Sequence, residues 1–257
     1  MIKMSSIKHK YLVGKNIIYD AYYRKIMETK MTDQLISHIA MFHDIIQNDE
    51  YTDDDYACTI SNLVKYIEYC KNIGLKPVSV DELLGKDKIS AVKGHFVVSF
   101  DDGFESMSTI MAPILTEMDI PFIIFITTSF LDRPGYLTSS ELKELNDNPL
   151  CTIGMHSHEH IYWIDKRKEE LMSDFNKCSE IINTLIGHQP EYYAFPYGSH
   201  MAVSNSNVRI IARQNVKGIF LTNQRKLLIR DLKNPLKGLP RLDIPGYFNG
   251  RRTYKNS

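Results

Sequence analysis

An α/β fold, in the form of a barrel of parallel strands with helices between them, is what this sequence predicts. Short apolar runs alternate with longer amphipathic segments over about two hundred residues, the pattern of strand–helix–strand units in a parallel sheet. Polar clusters (His43-Asp44, Asp101-Asp102, His156 to His160, Tyr197-Gly198 and Arg241 to Asp243) each fall just after an expected strand. A barrel of parallel strands gathers such ends on one face, where active sites are built. An open sheet is the alternative.

The elements follow in order. Residues 1 to 34 are polar, tyrosine-rich and weakly patterned, and read as an arm outside a domain spanning 35 to 257. Leu35 to Phe42 is the first buried strand, closing at His43-Asp44, and Asn48 to Asp55 is a solvated acidic loop. Leu63, Tyr66, Ile67 and Cys70 line one side of a helix from Ile60 to Ile73, closed by Gly74. Pro77 to Val80 reads as a short strand, with Asp81 capping a small helix from Glu82 to Leu84. The central strand, Phe96 to Phe100, leads to a helix from Glu105 to Met118 and a strand from Pro121 to Ile126. Ser139-Ser140-Glu141-Leu142 opens a further helix with cap chemistry. Cys151 to Met155 is a strand, and Leu171, Phe175, Cys178, Ile182 and Leu185 stripe a long helix from Asp165 that ends at Gly187. Tyr192 to Phe195, Gly218 to Leu221 and Leu239 to Ile244 are the remaining strands, with a helix from Asn207 to Gln214. The basic, aromatic stretch Tyr247 to Lys255 reads as a solvated terminus.

Composition narrows the function classes. A chain of 257 residues can form one large domain with a full core. Its 31 Lys and Arg balance 31 Asp and Glu, which argues against a nucleic-acid binder or a polybasic membrane anchor. Met1 to Lys8 is polar with no apolar signal-peptide core behind it. The longest apolar run, Ile120 to Ile126, is too short to span a bilayer. Cys58, Cys70, Cys151 and Cys178 form no CxxC pair and read as reduced core thiols, so the expected compartment is the cytoplasm.

Asp101 and Asp102 carry the first chemical signal. Adjacent strand residues point to opposite faces, but at a strand end both can reach one cavity. Two buried carboxylates are expensive unless a cation or a proton compensates them. The plainer reading is a helix N-cap followed by an Asp-Gly turn. His156-Ser157-His158-Glu159-His160 carries the second, three imidazoles in five residues. A histidine pair at i and i+4 can face one ion, and one aspartate completes a two-histidine, one-carboxylate set with open positions. Satisfied polar groups are the plain alternative. There is no glycine-rich phosphate loop, GxSxG elbow or HExxH.

Ser99-Phe100-Asp101-Asp102-Gly103 resembles the first motif of the polysaccharide deacetylases, the family 4 carbohydrate esterases with a NodB-homology domain. His156-Ser157-x-x-His160 resembles their second motif, and Phe195-Pro196-Tyr197-Gly198 their third. The resemblance implies a distorted (β/α)7 barrel and one divalent metal ion, zinc first, with cobalt, nickel or iron as alternatives. It implies hydrolysis of N-acetyl groups on an amino sugar or an N-acetylglucosamine-containing glycan, so the partner expected is a carbohydrate. Asp101 matches the family's catalytic base, and Asp102, His156 and His160 its metal ligands. Ser157 would steady the loop, and the Tyr197 backbone N–H would help bind the oxyanion. Ala194 stands where many members carry an arginine, and no histidine follows His200 to supply the usual late acid. Both departures resemble the poly-N-acetylglucosamine deacetylases of biofilms. Ile39 to His43 is similar to that branch's early segment, which makes His43 the expected general acid, with His200 the runner-up. Arg241 would orient Asp101 or neutralise charge near it, or form a surface salt bridge. The alternatives are a hydrolase of another C–N bond on the same site, such as a deformylase or cyclic-amide hydrolase, and a glycan-binding relative without turnover.

Overall fold

The computed structural model describes residues 35–47 and 57–244. The expected arm, acidic loop and basic terminus lie outside those residues. The chain runs through β1 (His38–Phe42), β2 (Ile45–Ile46), β3 (Cys58–Thr59), α1 (Ile60–Asn72), β4 (Lys76–Pro77), α2 (Val80–Gly85), α3 (Lys88–Ala91) and β5 (His95–Asp102). A π-helical turn (Met107–Met111) leads into α4 (Ala112–Glu117), then β6 (Phe122–Ile126), α5 (Ser139–Asn146), β7 (Cys151–Met155), α6 (Lys168–Ile186) and β8 (Tyr192–Ala194). The remainder is α7 (Asn205–Ile211), β9 (Gly218–Leu221), α8 (Ile229–Lys233), a 3-10 turn (Pro235–Lys237), β10 (Leu239–Pro240) and β11 (Leu242–Asp243).

The main sheet runs β10-β9-β8-β7-β6-β5-β1-β11, with β4 beside β5, and every pairing in it is parallel. Its two ends are neighbours in sequence, separated only by Arg241. Leu239 pairs with Phe220 on one side and Leu242 with Ala40 on the other, so one interrupted strand closes a barrel. Counting that strand once, the barrel has the seven staves that the sequence resemblance implies.

Strand alternation sorts side chains between two cores. Phe96, Val98 and Phe100 of β5 face outward with Phe122, Ile124, Ile126, Tyr193 and the helix residues Leu63, Leu115, Leu171 and Ile211. Val97 faces inward with Ile39, Ile123, Phe125, Ala194, Phe220 and Leu239. Asp101 shares the parity of Val97, and Arg241 that of Leu239, so register alone directs both into the barrel. β6 is buried throughout because both its faces are covered.

Several boundaries differ from expectation for physical reasons. Ser79, not Asp81, caps α2, accepting the Glu82 N–H at 3.0 Å, and Val80 is buried as its first residue. Asp81 instead accepts the Tyr192 hydroxyl at 2.6 Å. The expected helix from Glu105 to Met118 is a π turn followed by α4, and Pro113 stands at the junction without an N–H to give the previous turn. α3 had no clear periodic signal in its four residues. The expected strand from Leu239 to Ile244 is broken at Arg241, where its hydrogen bonding passes from β9 to β1. No helix among the described residues is long and apolar enough to cross a membrane. All four cysteines are free.

Candidate active site

β1, β5, β7, β8 and the β10–β11 break deliver their C-terminal ends to one mouth. Asp101 is 2% exposed and Arg241 fully buried. The guanidinium grips the carboxylate with both arms, at 2.5 Å to Oδ1 and 2.6 Å to Oδ2. It lies over the Phe125 ring, 5.3 Å from its centroid, and reaches the Ser99 hydroxyl at 3.4 Å. A surface salt bridge is thereby excluded for Arg241. Burial pushes the Asp101 carboxyl up, but the charge and hydrogen bonds of Arg241 outweigh it and hold Asp101 below the ordinary carboxylate range.

Asp102 escapes the alternation that would turn it outward. Its φ of 78° is left-handed, which swings its side chain into the same mouth as Asp101. Ser157, His160 and Tyr197 are also left-handed, with φ of 68°, 50° and 60°. Four strained residues gathered at one face mark it as a place where geometry is imposed by the fold around it.

Asp102, His156 and His160 each offer a ligand atom, all within 4.8 Å of one another. The surroundings of His156 decide what this cluster can hold. Its Nδ1 lies 2.9 Å from the Ala194 carbonyl oxygen, which can only accept, so Nδ1 carries the hydrogen. Burial lowers the His156 pKa to about 4, so the ring is neutral at pH 7 and Nε2 is a bare lone pair. That lone pair faces Asp102 Oδ1 at 3.4 Å and Asp101 Oδ2 at 3.7 Å. Asp102 Oδ1 is itself buried, with His160 Nε2 3.0 Å away but not aligned as a hydrogen bond. Lone pair against anion is repulsive unless positive charge lies between them. The donors fit a divalent first-row metal ion. Burial also opposes charge on Asp102, but the imidazoles of His160 and His43 keep it below the ordinary carboxylate range.

The loop carrying these histidines is held from within and from behind. The Ser157 hydroxyl accepts the His160 N–H at 3.0 Å. Asp174, on α6, accepts the N–H groups of His158 and Glu159 at 2.9 and 2.8 Å. Sequence reasoning missed Asp174, although a signal was present. It sits on the buried stripe of α6 with Leu171, Phe175 and Cys178, where an acid needs a partner. His158 turns away from the cluster, with Nδ1 2.9 Å from the Thr128 hydroxyl.

His43 ends β1 at the mouth, near enough for its charge to act on both Asp101 and Asp102. His200 is exposed and is not among the principal charges acting on either. The Tyr197 N–H has no acceptor among the described residues, and its carbonyl accepts the Thr222 hydroxyl at 2.8 Å. Gly198 is required beside it, because a Cβ there would stand 2.8 Å from the Thr222 backbone nitrogen at a φ of 51°.

Comparison with known proteins identifies the family and the fold. The family model for polysaccharide deacetylases matches residues 88–216, half of the chain. The chain matches no curated protein sequence. Among solved structures, IcaB from Ammonifex degensii is similar with a TM-score of 0.69 and 19% identity, covering 82% of this chain and 92% of that one. A de-N-acetylase from Aggregatibacter actinomycetemcomitans gives a TM-score of 0.67 at 18% identity, covering 80% and 94%. The Streptococcus pyogenes deacetylase PplD, solved with acetate, gives 0.67 at 17%, covering 81% and 92%. At these identities the likeness is one of fold.

Proposed function

Because this chain belongs to the polysaccharide deacetylase family, we propose that it removes N-acetyl groups from amino sugars of a glycan by metal-assisted hydrolysis. The observation that carries the reading is the bare Nε2 of His156 facing Asp102, with His160 beside them and a second carboxylate, Asp101, held apart by Arg241. Asp102, His156 and His160 would hold the ion, and zinc suits two imidazoles and a carboxylate best. When bound, such an ion supplies Lewis acidity to the acetyl carbonyl and acidifies a water.

The chain's own groups do the rest. Asp101, ionised and fixed by Arg241, takes the proton of the attacking water as the new C–O bond forms. The Tyr197 N–H donates to the oxygen that becomes negative. His43 gives its proton to the sugar nitrogen as the C–N bond breaks, so the products are acetate and a free amine. The four free cysteines fit work in a reducing compartment, the cytoplasm.

The test is acetate release from a panel of N-acetylated sugars and oligomers, with metal content measured on the same sample. We expect release that disappears on chelation and returns with zinc. Formate release or ring opening of cyclic amides would move the activity to another C–N bond. Undiminished hydrolysis by metal-free protein would overturn the metal's part.

A further inference from the structure

At the other end of the barrel lies a cleft of about 1060 Å³ that the candidate active site does not use. Tyr192 opens β8, Lys217 precedes β9 and Lys237 stands two residues before β10, so the strand ends beside this cleft are the N-terminal ones. Four cations border it: Arg209 from α7, Lys217, Lys233 from the end of α8 and Lys237 from the 3-10 turn. Lys217 is neutralised, with Glu191 at 2.5 Å and Asp81 at 3.6 Å. Asp81, the acidic residue in the lining, also accepts the Tyr192 hydroxyl at 2.6 Å. Arg209, Lys233 and Lys237 form no ion pair among the described residues. The walls between them are aliphatic, from Leu84, Val208, Val216 and Leu236. Like charges around a low-dielectric concavity reinforce one another's field, and an anion placed among them relieves their repulsion. Tyr192 is only 2% exposed, so it offers no ring face on which a nucleobase could stack.

We infer that this cleft binds an alkyl phosphate, with the phosphate monoester head among Arg209, Lys233 and Lys237 and the hydrocarbon chain along the aliphatic walls. A carboxylate brings one negative charge to three cations. A phosphate monoester is close to dianionic at pH 7 and has three terminal oxygens to share among them. An inorganic phosphate ion would leave the apolar walls in water. The volume is that of a small-molecule site at the upper end of the usual range, which fits a compact ligand better than a protein surface.

Calorimetric titration of octyl phosphate into the full chain tests this. One saturable site is expected, binding octyl phosphate at least about a hundredfold more tightly than inorganic phosphate, because the chain leaves water. Octanoate should bind about tenfold more weakly than octyl phosphate, and octanol, which lacks the charge, more weakly still. Phosphate can also reach a metal ion at the barrel mouth, so the location is read from a double variant, Lys233→Gln with Lys237→Gln. That variant should bind octyl phosphate about tenfold more weakly and keep acetate release within about twofold of wild type. Undiminished binding by the double variant, or equal affinity for octanoate and octyl phosphate, would overturn the inference. So would binding to vesicles carrying phosphatidic acid without binding to octyl phosphate, which would make this end of the barrel a membrane contact. No binding by a protein that releases acetate removes this site and leaves the deacetylase reading standing. Binding by a protein that releases none does the reverse.

Discussion

Asp101 and Asp102 are chemically identical neighbours, and their surroundings give them separate tasks. Asp101 has both oxygens in the grip of Arg241, while Asp102 keeps a buried oxygen turned toward two imidazoles. Asp101→Asn should therefore keep stoichiometric metal and lose turnover by about a hundredfold or more. Metal content and kcat on one preparation check this, and near-normal kcat would remove Asp101 from the chemistry. His43 is expected to act as the proton donor to the leaving amine. His43→Ala should keep the metal, lose most acetate release, and lose the alkaline limb of the pH–rate profile in what activity remains. An unchanged alkaline limb would assign that limb to another group.

Among the elements, α6 links packing to the site. It buries Leu171, Phe175, Cys178 and Ile182, and on the same face spends Asp174 on the loop between β7 and α6. Asp174→Ala should leave the helix content intact and weaken metal affinity by about tenfold to a hundredfold, because it frees the segment that positions His156 and His160. Competition against a chelator reads this directly, and equal affinity would show that the loop holds itself. The strands at this face were legible in the sequence because buried runs such as Phe122 to Ile126 announce themselves, and Cys151 to Met155 and Gly218 to Leu221 lie where their patterns put them. The break in the last strand was not legible. Leu239 to Ile244 reads as one run, and only its distant partners, Phe220 and Ala40, divide it at Arg241. Ser79 and Asp81 are both good caps, so the choice between them fell to the burial of Val80. The left-handed turn at Asp102 was legible only as an Asp-Gly turn at a strand end, without its backbone angle.

For the molecule as a whole, His38 ties stability to pH. It lies in β1 with Nε2 2.6 Å from the Tyr66 hydroxyl, and burial lowers its pKa from 6.5 to about 4. The unfolded chain binds this proton more readily than the folded one. Stability is therefore complete above about pH 6.5 and declines as pH falls toward 4, by up to about 3 kcal/mol. Urea midpoints at pH 7 and pH 4.5 should differ less in His38→Gln than in the wild type. Parallel shifts in the two proteins would place the acid sensitivity elsewhere.

The closing strand sets a timetable for biosynthesis. The ribosome delivers β1 early, but its partner β11 arrives about two hundred residues later, a pairing of long sequence separation. Until the segment around Arg241 emerges, Asp101 has no guanidinium to balance its buried charge, and β1 and β9 are open edges. A nascent chain thus carries His156 and His160 well before it can hold Asp101 in place. The ring of strands closes only when this last stave arrives, so a chain that ends before it would leave an exposed sheet edge on either side of the gap.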